Sequence, residues 1–88
     1  MKKVLMGILA FTLIGSAFAK TECTSEKIDK WKNQDAFRKE LEATYKIKVF
    51  KVTSGNCYEI YGWNKSNQKV EIYFNPVTGE KVKENVEK

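Results

Sequence analysis

The sequence predicts a small α+β domain: one N-terminal helix packed on an antiparallel meander sheet of three to four strands, in two layers. Three observations predict it. Helix formers with apolar residues at helical spacing fill Gln34 to Thr44. From Tyr45 onward the apolar period drops to two. The strand-like runs are separated by short turn signals, Ser54-Gly55-Asn56, Asn64 to Asn67 and Asn75 to Gly79. Connections this short leave no room for crossovers, so successive strands must be antiparallel.

The chain opens with a segment that reads as a secretory leader, Met1 to Ala19. Lys2 and Lys3 form a positive start, Val4 to Ile14 an apolar run, and Ala17-Phe18-Ala19 a small-residue cleavage site. The apolar run is too short to span a bilayer, which takes about 20 residues. Removing these 19 residues leaves 69 of the 88, enough for one small domain, Lys20 to Lys88. Without Lys2 and Lys3, 14 basic side chains face 11 acidic ones, a net charge of +3 in place of +5. The chain contains no His. A His-based acid/base catalyst and a His-ligated metal site are therefore excluded, and the length excludes a multidomain enzyme.

Lys20 to Lys32 is polar apart from Ile28 and Trp31 and reads as an arm. Asn33 is placed to cap the helix, and Asp35 lies in the first turn, where a carboxylate suits the helix dipole. Phe37 and Leu41, four apart, form a narrow apolar stripe that Trp31 extends. A helix of about three turns is marginal alone and must dock on another element. The first strand, Tyr45 to Thr53, places Phe50 and Val52 on one face. Ile47 and Val49 fall on the other unless a bulge shifts the register. The second strand, Cys57 to Asn64, puts Tyr58, Ile60 and Gly62 on one face and Glu59, Tyr61 and Trp63 on the other. In the polar hairpin loop that follows, Asn67 can take a positive φ. The third strand, Gln68 to Asn75, alternates Val70, Ile72 and Phe74 with Glu71 and Tyr73. Glu80 to Lys83 returns as a short edge strand, and Glu84 to Lys88 is expected to fray. One sheet face (Tyr58, Ile60, Val70, Ile72 and Phe74, with Phe50 and Val52) is thus apolar enough to take the helix stripe.

Cys23 and Cys57 are the two cysteines of the chain. An even count in a small exported domain predicts a disulfide, and two thiols allow one intramolecular pairing. Such a bridge stabilises by about 3–4 kcal/mol on the chain-entropy argument. A metal site would need more ligands, a redox pair would sit as C-x-x-C, and a lipoprotein would carry its Cys directly after the cleavage site.

Gly55 to Lys83 resembles the PepSY family, small domains of thermolysin-like protease propeptides and of other exported or membrane-linked bacterial proteins. The likeness rests on Asn56-Cys57-Tyr58-Glu59-Ile60-Tyr61 and Lys69-Val70-Glu71-Ile72-Tyr73-Phe74. It rests above all on the turn Asn75-Pro76-Val77-Thr78-Gly79-Glu80, which is similar to the family's D-P-x-T-G-x signature. Trp31 to Leu41, Tyr45 and Phe50-Lys51-Val52 resemble the helix and first strand of small stand-alone PepSY-like proteins. Those tend to carry cysteines at the places of Cys23 and Cys57. Asn75 stands where Asp is common; it serves the same turn hydrogen bond, so little is expected to change. Thr44 stands where relatives have a Gly before the Tyr, so the helix must end without a C-cap glycine. Asn75, Pro76, Thr78 and Gly79 are structural: Pro76 presets φ, and Gly79 supplies a φ that a Cβ would oppose.

The resemblance implies a module that inhibits or holds proteases, or assists the folding of a neighbouring domain. The expected partner is a polypeptide, such as a peptidase of the cell envelope. The alternative is an accessory subunit of a membrane redox or signalling complex. No cofactor, metal or nucleic acid is implied, and the expected location is periplasmic or secreted, without stable membrane insertion after leader cleavage. Tyr61, Trp63 and Tyr73, rimmed by Lys46 and Lys48, are the candidate partner-binding residues. Two readings of this face stay open: a binding patch, or a surface that the arm covers when Cys23 is bonded to Cys57. The strand lysines likewise serve either an acidic partner or the protection of a sheet edge. Glu59 and Glu71 could share a face as an acid/base pair, but Lys46, Lys48 or Lys69 would neutralise them, and the hydroxyls lie in the arm and turns. The reading is of a non-enzyme.

Overall fold

A computed structural model of the chain describes residues 20–87. The leader expected over residues 1–19 lies outside the described residues. A single 3-10 turn, Ile28–Lys30, leads to one helix, α1 (Gln34–Glu42). Four strands follow: β1 (Lys46–Val52), β2 (Tyr58–Trp63), β3 (Lys69–Phe74) and β4 (Lys81–Val86). The sheet order is β1-β2-β3-β4, antiparallel throughout, which is the expected meander.

Asn33 caps α1, its side-chain oxygen accepting from the Ala36 amide at 3.0 Å. The helix ends at Glu42, two residues before the expected limit. With no glycine at its end, it closes through the Thr44 and Tyr45 amides, both donating to the Leu41 carbonyl (2.9 and 2.8 Å), and the chain turns directly into β1. Phe37 and Leu41 dock on Tyr58, Ile60, Val70, Ile72 and Phe74. Phe37 stacks edge-on against Phe74 at 5.4 Å and tilted against Tyr58 at 5.7 Å, while Trp31 meets Tyr58 edge-on at 5.6 Å.

The structure settles the register of β1, which the sequence left open, and corrects two expectations about the sheet, those for Val52 and for β4. In β1 the register shifts between Ile47, opposite Gly62, and Val49, opposite Tyr61, leaving Lys48 as the extra residue of a bulge. The bulge returns Ile47 to the core side with Phe50, where both pack against the core. Val52, expected in that core, is 41% exposed, because it ends an edge strand flanked on one side alone. β4, expected to stop at Lys83 with a frayed tail, pairs along β3 as far as Val86 opposite Val70. All its side chains are exposed, so backbone pairing holds it.

Cys23 and Cys57 are bonded, with S–S 2.03 Å and Cα atoms 5.1 Å apart. The arm is laid across the sheet end formed by the β1–β2 and β3–β4 turns. The Cys23 amide donates to the Gly55 carbonyl (3.0 Å) and the Asn56 side chain to the Thr24 carbonyl (3.3 Å). Gly55 is needed for this approach, since a Cβ there would lie 1.9 Å from the Thr21 carbonyl oxygen. The positive φ of this turn belongs to Asn56 (62°), and Asn67 takes one of 63° in the β2–β3 loop.

Candidate functional site

The signature loop does more than turn the chain. The Asn75 side-chain oxygen accepts from the Val77 and Thr78 amides (2.8 and 3.3 Å), and the Gly79 amide closes on the Asn75 carbonyl at 2.7 Å. Thr78 accepts from the Glu80 amide at 3.2 Å. Gly79 has φ +82°, the left-handed conformation that its lack of a Cβ permits. Pro76 is fully buried, and its carbonyl receives the Lys32 amide at 2.7 Å. With its oxygen committed to the loop, the Asn75 amide nitrogen donates to the Cys23 carbonyl at 3.0 Å. An Asp could not make that bond. The expectation that Asn and Asp are equivalent here is therefore corrected: the loop is also a dock for the arm.

The face of the sheet away from α1 carries the candidate binding residues. On β2 and β3 two acids and two tyrosines form a checkerboard, Glu59 opposite Tyr73 and Tyr61 opposite Glu71. Glu71 Oε2 accepts from both Tyr61 and Tyr73 hydroxyls at 3.0 Å, and its Oε1 accepts from the Asn85 amide of β4 at 3.1 Å. Glu59 is buried, 2% exposed, and its Oε2 finds no donor. Glu71 is the neighbouring carboxylate with which a protonated Glu59 would share a hydrogen bond. Burial first, then this hydrogen bond to Glu71, pushes Glu59 above the usual carboxylate range. Glu71 is held below it, first by the Glu59 hydrogen bond and then by Asn85 and the tyrosines, against the effect of its own burial. The Tyr61 hydroxyl is pushed up to about 12, chiefly by hydrogen bonding to Glu59 and by burial. Tyr73 is also raised, by burial and then by Glu71.

The cation beside Glu59 is Lys51, with 3.8 Å between Nζ and Oε1. The lysines expected to neutralise the acids lie elsewhere: Lys69 pairs with Glu87 at 3.9 Å, Lys46 sits 5.8 Å from the Trp63 ring centroid, and Lys48 is the exposed bulge residue. Lys51 was legible from the turn. Once Thr53 and Cys57 close the β1–β2 connection, Lys51 falls opposite Glu59. Lys51 also lies 5.4 Å from the Tyr61 ring centroid, and Lys83 of β4 lies 5.9 Å from that of Tyr73. Lys83 and Asn85 join this face without having been singled out in the sequence, because their placement depends on β4. Val49, opposite Tyr61, and Lys69, opposite Trp63, follow from the alternation of β1 and β3.

The face is divided between the two readings left open by the sequence. At its Glu59 end the arm residues Lys20 and Thr21 line a cavity with Lys51, Glu59, Tyr73 and Lys83. At its other end Tyr61 is 37% exposed and Trp63 half-buried, and no arm residue lines the cavity beside them. The structure thus brings Tyr61, Trp63, Tyr73, Lys46 and Lys48 onto one side of the sheet, and sets Asn75, Pro76, Thr78 and Gly79 at its end with the Cys23–Cys57 bridge. Among the described residues no cluster of potential metal ligands is found, and no helix is long and apolar enough to cross a membrane.

Comparison with known proteins gives one family. No curated protein and no solved structure matches significantly. A family model described as PepSY_2, peptidase propeptide and YPEB domain, matches residues 4–85, taking in the helix, β1 to β3 and nearly all of β4. The match, together with the helix, the four-strand meander and the Asn75–Gly79 loop that ties them to the arm, shows that the chain belongs to the PepSY_2 family of peptidase propeptide and YPEB domains.

Proposed function

We propose that the protein is an exported, non-catalytic binding module that acts by contact with a polypeptide, as a regulator or inhibitor of a cell-envelope peptidase. The observation that carries this reading is the exposed end of the outer sheet face. There Tyr61, whose hydroxyl donates to Glu71, and Trp63 stand on a strand paired on both sides, with lysines at their edge. Rigid aromatics lose little entropy on binding and are frequent anchors of interfaces. The family is one of peptidase propeptides, which supports a peptidase as the partner. The disulfide and the leader-like start support an oxidising location, periplasmic or secreted.

The test is titration of the purified protein against envelope peptidases, read both as binding and as residual peptidase activity. Binding that is lost in Trp63→Ala supports the reading. Absence of binding and of any change in activity removes the peptidase partner, and co-purification with a membrane redox or signalling complex instead would replace it.

A further inference from the structure

We infer that the partner segment received by the outer face is acidic: a short extended stretch in which Asp or Glu flanks an apolar or aromatic side chain. This rests on the binding-module reading above and names the chemistry of its partner. The open end of the face forms a cavity of about 430 Å³, with Val49, Tyr61 and Trp63 as its apolar floor and Lys48, Lys51 and Lys69 at its rim. No carboxylate lines it. The two acids of the face are turned to other work. Glu59 is buried, and both oxygens of Glu71 are taken by Tyr61, Tyr73 and Asn85. What the cavity lining presents outward is therefore ring and ammonium.

The lysines are arranged for a ligand on the face as well as for guarding an edge. Lysines that only shield β1 would point away from the sheet. Here Lys46 and Lys51 place their ammonium groups near the Trp63 and Tyr61 rings, beside the cavity. Lys48 forms no ion pair among the described residues, and the Lys69–Glu87 pair is about two-thirds exposed on both sides and readily exchanged. An apolar side chain seated on Val49 and Tyr61 would bring its neighbouring carboxylates within reach of Lys48 and Lys69. It would also exclude water from those contacts, which strengthens them. A basic segment would meet three ammonium groups with no acceptor in the cavity lining.

The experiment pans a library of random 12-residue peptides, displayed on phage, against the purified protein. The best binder is then synthesised with its acids intact and with Asn and Gln in their place. Enrichment of Asp and Glu beside aliphatic or aromatic residues is expected. So are NMR shifts at the Trp63 indole and binding at least about tenfold weaker for the amide version. Lys48→Gln, at an exposed bulge, should weaken binding several-fold without lowering the melting temperature, and Lys69→Gln provides the second variant. The inference is overturned if the library yields no binder at Trp63, or if the binders lack acid enrichment. It is equally overturned if neither lysine variant matters, or if the protein binds phosphatidylglycerol vesicles while ignoring acidic peptides. A photo-crosslinker at position 49 separates this failure from that of the broader reading. Crosslinks in cells to a polypeptide without acidic segments would remove the acid preference alone, whereas crosslinks to no polypeptide would remove the binding module as well.

Discussion

Two residues carry more of the architecture than their types suggest. Asn75 satisfies the β3–β4 loop with its oxygen and the arm with its nitrogen, and so joins two parts of the chain 52 positions apart. Asn75→Asp keeps the first function and sets a carboxylate oxygen against the Cys23 carbonyl. We expect a loss of about 1–3 kcal/mol in urea unfolding, the usual cost of a broken, part-buried hydrogen bond. Asn75→Ser, which lacks the amide donor but adds no charge, should cost less. Glu59 is the second such residue. Its folded-state pKa lies above the unfolded value of 4.5, so the stability it contributes is complete below that value and is lost as pH rises through the folded pKa. Glu71 is shifted the other way, and its contribution is lost as pH falls below 4.5. Stability should therefore peak near mildly acidic pH and decline toward neutrality. Glu59→Gln mimics the protonated acid, so it should flatten the decline and raise the neutral-pH melting temperature. A melting series that declines as steeply in the variant would show that Glu59 is not the source of the decline.

At the scale of elements, the arm is positioned by what is missing from Gly55. Its φ is ordinary, so alanine is not strained there by backbone conformation. The obstacle is the Thr21 carbonyl, 1.9 Å from where the Cβ would sit. Gly55→Ala must lift the arm, at about 1–3 kcal/mol by comparison with overpacked sites. The Cys23 amide, which donates to Gly55, should then lose its protection from hydrogen exchange, while the amides of β2 and β3 keep theirs. A protected Cys23 amide in the variant would mean that the hairpin turn moves instead. The same contrast explains which elements the sequence announces. The Asn33 cap, the Phe37–Leu41 stripe and the alternation of Val70, Ile72 and Phe74 are legible because burial on one side leaves a period in the residues. β4 leaves none, since every side chain in it is exposed and its order comes from backbone pairing. A bulge in β1 was open in the sequence, but its place at Lys48 was not legible, because lysines at 46, 48 and 51 interrupt both faces alike. The candidate site was half legible for the same reason. Tyr61, Trp63 and Tyr73 follow from alternation, but which lysine meets which ring depends on the bulge. The arm's route is set by carbonyl groups of Gly55, Cys23 and Pro76, which every sequence possesses.

For the molecule as a whole, the two sides of the sheet have divided tasks. The side under α1 holds the apolar core. The opposite side holds a polar network and an open aromatic end, and the arm closes the edge where both hairpin turns meet. A domain this small has little core to spare, so the Cys23–Cys57 bond, closing residues 34 apart, should supply about 3–4 kcal/mol by limiting the unfolded chain. For a chain of this length each kcal/mol moves the melting temperature by about 4–8 °C, so full reduction should lower it by more than about 10 °C. The bridge lies at the Glu59 end of the outer face, beyond reach of Trp63. Reduction should therefore leave peptide binding at Trp63 within a few-fold at temperatures where the protein stays folded. It should also make Glu59 and Tyr73 more accessible, which relieves the burial that raises Glu59 and is read as a shallower dependence of stability on pH. If reduction abolished binding at Trp63 in a protein still folded by circular dichroism, the arm would be part of the binding surface. The division of the face into a covered end and an open end would then be wrong.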